Sequence, residues 1–152
     1  MTGTTLKEQI QADMKAALRA GEKERLGVIR MLLAAIQSRE IDARGEALSD
    51  MDILQVVEKL IKQRKDAAQQ YADADRPDRE AQELAEAELL QVYMPEQLSE
   101  AELTAMVDEI IAATGASSMK DMGAVMGQLK ERAQGRADMG SMSGLVKARL
   151  SA

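Results

Sequence analysis

The sequence predicts an all-α fold, and three observations carry that prediction. Residues that favour helices dominate the 152-residue chain, which has 25 Ala and 11 Met but only two Tyr and no Phe or Trp. Apolar residues recur at the three- and four-residue spacing of a helix, whereas runs of Val, Ile and Thr that alternate with polar residues are missing. Capping residues and glycines stand where such helices would begin and end.

Four helices are predicted in the first part of the chain. Thr5, with a Glu three residues later, has the spacing of a capping box and starts the first helix, which Gly21 ends. The second helix ends near Gly45. Ser49 opens the third, and Pro77 suits the first turn of the fourth because its missing N–H would be unpaired there anyway.

A domain boundary is predicted after the fourth helix. Pro95 ends that helix, and Ser99 then combines a capping-box Glu with leucines at the two positions of a hydrophobic staple. This is the strongest local start signal in the chain. We therefore expect an N-terminal helical domain of about four helices at 1–95 and a small C-terminal helical domain at 96–152.

Three short helices are predicted in the second domain. The first two cover 99–113 and about 119–133, with Ser99 and Ser118 as their capping residues. A loop rich in small residues follows, and Ser141 or Ser143 starts the last helix. Three helices in fewer than 60 residues give a small core.

The composition excludes several classes of chemistry. Cys and His are both absent, which removes disulfides, thiolate catalysis, Ser-His-Asp catalysis and the usual zinc ligands. The formal net charge of -6 argues against a protein that coats nucleic acid or anionic membranes by charge alone. No apolar run is long enough to span a membrane, and the N-terminus lacks the apolar segment of a signal peptide. We therefore expect a cytoplasmic protein that uses no metal and no cofactor.

Charge is distributed unevenly in the second domain. Residues 96–119 hold five acidic residues and no Lys or Arg, whereas residues 120–152 hold six basic and three acidic ones. Gly123 and Gly127 lie four residues apart within 120–152. This spacing favours close packing of their helix against another helix. The alternative is an open surface that an RNA backbone or a partner could approach. The six basic residues are Lys120, Lys130, Arg132, Arg136, Lys147 and Arg149.

The first domain offers two further charged features. Arg64 belongs to a basic run on the third helix, and such a run usually forms a solvated face. Arg30 stands beside an apolar stripe, and we expect it to pair with a carboxylate such as Glu58 or Glu88 on another helix.

Several motifs in combination resemble the YqeY family. The most specific is ELLQVYMPEQLSE, usually seen with Leu at the position of Met94, and the chain departs from the family's usual pattern at Met139-Gly140-Ser141. The resemblance covers nearly the whole chain. Its motifs lie at 13–15, 28–31, 62–66, 88–100, 115–117, 121–127 and 135–138.

The resemblance implies two helical domains, of which the second is similar to the tail of GatB. GatB is the tRNA-handling subunit of the glutamine-dependent Glu-tRNA/Asp-tRNA amidotransferase, and its tail contacts the outer corner of tRNA. The family is therefore often labelled a carbon–nitrogen ligase with glutamine as amido donor. This chain resembles the tail without the kinase-like catalytic domain or an amidase, so we interpret that label as inherited from the shared domain.

The leading hypothesis is a non-catalytic accessory protein that binds tRNA or structured RNA. The resemblance to the GatB tail and the basic run from Lys120 to Arg149 together predict that the six basic residues contact phosphates and that Gly123 and Gly127 allow close approach. One alternative is a module that clamps a translation or amidotransferase partner, which the net charge of -6 and the scarcity of aromatic residues favour. A further alternative is an auxiliary of transamidation itself.

Overall fold

The computed structural model of the chain describes residues 5–133 and 135–151. Within those residues it contains α-helices and one turn of 3-10 helix but no strand, so the all-α prediction is confirmed. The 3-10 turn covers Met119–Asp121. The α-helices are α1 (Leu6–Ala20), α2 (Lys23–Asp42), α3 (Asp50–Asp73), α4 (Pro77–Gln91), α5 (Glu100–Thr114), α6 (Met122–Ala133) and α7 (Met139–Ser151).

The chain divides into two compact units, Met1–Met94 and Pro95–Ala152. Each unit has its own cluster of buried apolar side chains. The division into domains at 1–95 and 96–152 stays a prediction. None of the described helices is both long enough and apolar enough to cross a membrane.

The first unit contains α1–α4, and the local signals explain most of its helix ends. Ser49 and Asp52 form both bonds of a capping box, each 3.2 Å long, at the start of α3. Gly21 ends α1 in the left-handed conformation with φ 71°, which costs glycine little. Pro77 is the first residue of α4. The core includes Ile10, Ile29, Leu32, Ile36, Ile53, Val57 and Leu90.

α2 ends near Gly45 as predicted, whereas the end of α4 differs from the prediction. α2 stops at Asp42, because Arg44 and Gly45 take up positive φ values of 58° and 85° and turn the chain. α4 stops at Gln91, before Pro95 is reached. In the turn that follows, Val92 is exposed whereas Tyr93 is buried in the core.

The second unit packs α5, α6 and α7 around a separate core. Ser99 caps α5 by accepting a hydrogen bond of 3.1 Å from the backbone N–H of Glu102, and Gly115 ends the helix with φ 71°. Leu98 and Leu103 both join the core, as a hydrophobic staple requires. The largest fully buried side chains of this unit are Val107, Ile110, Val125, Leu129 and Val146.

The last helix begins earlier than the sequence suggests. α7 starts at Met139 and not at Ser141 or Ser143, because Asp138 supplies the cap. Asp138 Oδ1 accepts the backbone N–H of Ser141 at 2.8 Å, and Oδ2 accepts its hydroxyl at 2.8 Å. The departure from the family pattern at Met139-Gly140-Ser141 therefore forms the first turn of a capped helix.

Candidate functional site

Two of the six basic residues of the second unit are held by acids on α5. The Nη2 atom of Arg132 on α6 lies 2.8 Å from Glu109 Oε2. The Nε atom of Arg149 on α7 lies 3.2 Å from Asp108 Oδ1. All four side chains are about half exposed, so water and ions reach both pairs. Sequence reasoning noted the acids of α5 but did not place them beside these arginines.

Arg136 has a structural part in the loop between α6 and α7. Its Nε donates to the carbonyl of Glu96 at 3.1 Å, and its own carbonyl accepts the N–H of Leu98 at 2.7 Å. The side chain of Gln97 adds a bond of 3.0 Å to the carbonyl of Gly135. Arg136 is half-buried and fastens the segment before α5 to this loop, and its contact with phosphate stays a prediction.

The three lysines differ from the arginines. Lys120, Lys130 and Lys147 are all exposed, and none forms an ion pair with any described residue of the chain. An exposed ammonium is a point charge that contacts a phosphate without first leaving a carboxylate. The lysines are therefore the more accessible cations of this unit.

Gly123 and Gly127 lie on the exposed side of α6, so the expectation that they serve close helix packing is wrong. A Cβ atom built at either position meets no described atom within 4 Å outside its own helix backbone. The reason is the direction of the core, since α6 buries Val125 and Leu129 on its opposite side. Both glycines leave the solvent face of α6 open, between Lys120 and Lys130.

The hydrogen bond between Asp138 and the Ser141 hydroxyl resembles the pairing of a base with a nucleophilic serine, but here it caps a helix. Hydrogen bonds from the backbone and hydroxyl of Ser141 lower the pKa of the Asp138 carboxyl. A carboxylate with a lowered pKa is a weak general base, so it does little to activate the Ser141 hydroxyl. Gly140 fits this turn, because a Cβ there would stand 3.2 Å from Asp138 Oδ1.

A buried tyrosine in the first unit joins α1 to the end of α4. The hydroxyl of Tyr93 donates to Asp13 Oδ2 at 2.6 Å, and Arg25 Nη2 lies 3.9 Å from the other oxygen of Asp13. Burial, and then the hydrogen bond to Asp13, raise the pKa of Tyr93 well above its usual value. This contact spans 80 residues of sequence, and no local pattern points to it.

Arg64 is another residue that the fold takes out of solvent. Its Nε lies 3.1 Å from Glu86 Oε2 and 3.8 Å from Glu83 Oε2, and Nη2 contacts the sulfur of Met31. The expectation of a solvated position is therefore wrong for Arg64. These contacts join α3 to both α4 and α2.

The pairing expected for Arg30 is also wrong. Arg30 is exposed and forms no ion pair with Glu58, Glu88 or any other acid in the described ranges. It points away from the core because the buried positions of α2 are taken by Val28, Ile29 and Leu32. Within 5–133 and 135–151, no three acidic side chains form a group that could hold a metal ion.

The profile of the Yqey-like protein family matches residues 7–150. The chain belongs to the YqeY family. The motifs on which the resemblance rested meet one another in space, since Asp13 bonds Tyr93 and Met31 contacts Arg64. In the second unit, Arg136 likewise bonds Glu96. These YqeY motif residues thus have architectural contacts.

Curated relatives of this YqeY protein carry the name altered inheritance of mitochondria protein 41, mitochondrial. The one from Lachancea thermotolerans is 34% identical over 104 residues, which are 67% of this chain and 56% of the relative. The one from Vanderwaltozyma polyspora is 32% identical over 85 residues, 56% of this chain and 46% of the relative. The Saccharomyces cerevisiae protein is 31% identical over 85 residues, with the same coverage. The match thus spans about half the length of these relatives.

Proposed function

We propose that this YqeY protein is a non-catalytic accessory protein that binds tRNA or another structured RNA through its second unit. The observation that carries the proposal is the open side of α6, where Gly123 and Gly127 are exposed between Lys120 and Lys130. Lys120 lies in the 3-10 turn before α6 and Lys130 lies about two helical turns into α6, so the two lysines can contact separate phosphates. The proposal places the protein in the cytoplasm, as the sequence predicts.

The chemistry of this surface suits recognition of shape and not of base sequence. Lysine neutralises phosphates without reading base edges, and structured RNA is largely recognised through its backbone. With one Tyr in the buried core and one half-buried, the described chain has little aromatic surface on which bases could stack. Binding should therefore depend on phosphate contacts and fall steeply with salt.

The experiment is a salt series of tRNA binding by the full chain and by the triple variant Lys120→Ala, Lys130→Ala, Lys147→Ala. Each lost phosphate contact lowers the slope of log affinity against log salt by about 0.7 to 0.9, so we expect a total change of about two to three. Far-UV circular dichroism checks that the variant is folded.

The matched control carries the same charge change in the first unit, as Lys59→Ala, Lys62→Ala, Lys65→Ala. These three lysines are exposed on α3 and form no ion pair with a described residue. The control should keep most of the affinity and slope. Equal losses of tRNA affinity in both variants would show that binding depends on overall charge and not on the second unit. Absence of tRNA binding at low salt would refute the proposal.

A second candidate is a protein-interaction module that holds a translation or amidotransferase partner. Leu84 on α4 and Val92 directly after its end favour it, because these apolar side chains are 45% and 70% exposed. Association with a purified glutamine-dependent amidotransferase that survives nuclease and high salt would support this reading. If the protein is an auxiliary of transamidation, adding it to a reconstituted glutamine-dependent amidation reaction should change the rate of that reaction. An unchanged rate would exclude this role.

A further inference from the structure

An open cavity of about 540 Å³, the α5–α7 groove, lies beside the start of α5 and along α7 within the second unit. Its apolar lining includes Leu98, Leu103 and Leu145. Leu98 and Leu145 are half-buried, so each packs against the core of the unit on one side and stays accessible on the other. A cavity of several hundred Å³ with an apolar lining is large enough to receive side chains of a ligand.

The α7 side of the α5–α7 groove carries almost no side chains. Gly140, Gly144 and Ala148 line it and are exposed, and their four-residue spacing places them on one face of α7. The stretch that they cover is about 12 Å long. A Cβ atom built at Gly144 meets no described atom within 4 Å outside its own helix backbone. Because two helices approach as closely as the side chains between them allow, this wall is open to a helix lying along α7.

The charged side chains of the groove are acidic. Glu100 and Asp138 line it, and the described lining includes no Lys or Arg. Each acid stands at the start of a helix, where the helix dipole offsets only about half a charge, so the groove remains negative. Hydrogen bonds from Ser141 also lower the pKa of Asp138 and keep its carboxyl ionised at neutral pH. A negative groove attracts cationic ligands and repels phosphates.

We infer that the α5–α7 groove binds an amphipathic helix of a protein partner, with apolar residues of that helix in the cavity and its Lys or Arg beside Glu100 and Asp138. A helix laid into a groove is a recurring mode of peptide recognition. Glu100 is exposed and forms no ion pair with a described residue, so its charge is available to the partner. The inference goes beyond the proposed RNA binding and does not depend on it, because Lys120, Lys130 and Lys147 are not among the lining residues.

The test is the fluorescence anisotropy of two labelled helical peptides of about 16 residues, each mixed with the full chain. Both peptides carry Leu along one face, which is flanked by Lys in the first peptide and by Glu in the second. The wild-type chain should bind the Lys peptide at least about tenfold more tightly than the Glu peptide. Glu100→Gln should weaken binding of the Lys peptide about two- to fourfold, whereas Glu102→Gln, about 200° around the same helix, should change it less.

A second variant, Gly144→Leu, fills the groove from its open wall. It should weaken binding of the Lys peptide at least about tenfold, because the new side chain excludes an apolar residue of the peptide from the cavity. The matched control is Gly127→Leu on α6, where a Cβ likewise meets no described atom within 4 Å. The control should change the affinity less than about twofold. Leu favours a helix more than Gly does, so both variants should fold, and thermal unfolding checks this.

A preference for the Lys peptide, together with a loss of binding confined to Gly144→Leu, supports the inference. Absence of Lys-peptide binding by the wild type, equal affinity for the two peptides, or equal losses in Gly144→Leu and Gly127→Leu would overturn it. Light scattering tests a second copy of the chain as the occupant. A wild-type dimer that becomes monomeric in Gly144→Leu would assign the groove to self-association and also overturn the inference. These measurements contain no RNA, so their failure leaves the proposed function to its own salt series.

Discussion

The hydrogen bond between Tyr93 and Asp13 offers a sharp test of how the first unit is held together. Tyr93 is 6% exposed and donates to a carboxylate oxygen at 2.6 Å. Tyr93→Phe keeps the buried ring and removes only the hydroxyl. A hydrogen bond to a charged group contributes about 1.5–3 kcal/mol, and water can partly replace it because the Asp13 side chain is 27% exposed. We expect the free energy of unfolding to fall by about 1–2 kcal/mol.

Urea denaturation followed by far-UV circular dichroism measures this loss. The control is Tyr71→Phe, since Tyr71 is half-buried and its hydroxyl forms no hydrogen bond with the described part of the chain. That variant should change the free energy by less than about 0.5 kcal/mol. A double-mutant cycle with Asp13→Asn isolates the pair. Equal losses for the two tyrosines, or additive effects in the cycle, would refute the reasoning.

The same contact predicts how stability depends on alkaline pH. Burial and Asp13 raise the pKa of Tyr93 above its ordinary value of 10.0, so the folded chain keeps a proton that the unfolded chain loses. The stabilisation is complete below about pH 10 and is lost as the pH rises through the folded-state pKa. Wild type should therefore lose stability above pH 10 more steeply than Tyr93→Phe, by at most about 1.4 kcal/mol per pH unit. Parallel curves would show that Tyr93 is not responsible.

Two further predictions concern the second unit. Asp138→Ala removes the cap of α7 and should lower the free energy of unfolding by about 1 kcal/mol, measured by urea denaturation. The control Glu131→Ala, at an exposed site of α6, should leave that free energy nearly unchanged. Because hydrogen bonds lower the pKa of Asp138, the difference in stability between wild type and Asp138→Ala should shrink as the pH falls below about 4. Gly123→Ala and Gly127→Ala should each stabilise the chain by about 0.5–1 kcal/mol, since a Cβ meets no described atom there, and should weaken tRNA binding if the RNA backbone approaches this face. Destabilisation by either alanine would mean that the glycines do pack against a neighbour.

The sequence by itself determined the fold class and most of the helix starts. These features depend on residues that are close together in the chain, such as the capping box of Ser49 and the left-handed turns at Gly21 and Gly115. The start of α7 was also encoded locally, because Asp138 stands three residues before Ser141 in the spacing of a cap. Aspartate caps a helix as well as serine does, so the prediction of a serine cap for α7 is wrong.

The candidate site could be predicted in composition but not in arrangement. The basic character of residues 120–152 is visible in the sequence, and so are the acids of α5. Which arginine an acid holds depends on how three helices pack, because Arg149 and Asp108 are brought together by α7 crossing α5. From composition alone the six basic residues are equivalent. The fold distinguishes them, because Arg132 and Arg149 form ion pairs with acids of α5 whereas the three lysines are exposed.

Only the tertiary structure decided which face of each helix is covered. Gly127 is open because α6 turns Leu129 inward, and Arg64 is half-buried because α3 and α4 pack side by side. The bond from Tyr93 to Asp13 joins residues 80 positions apart. Local sequence specifies backbone conformation through contacts within a turn or two, whereas the environment of a side chain depends on partners that folding brings from elsewhere in the chain.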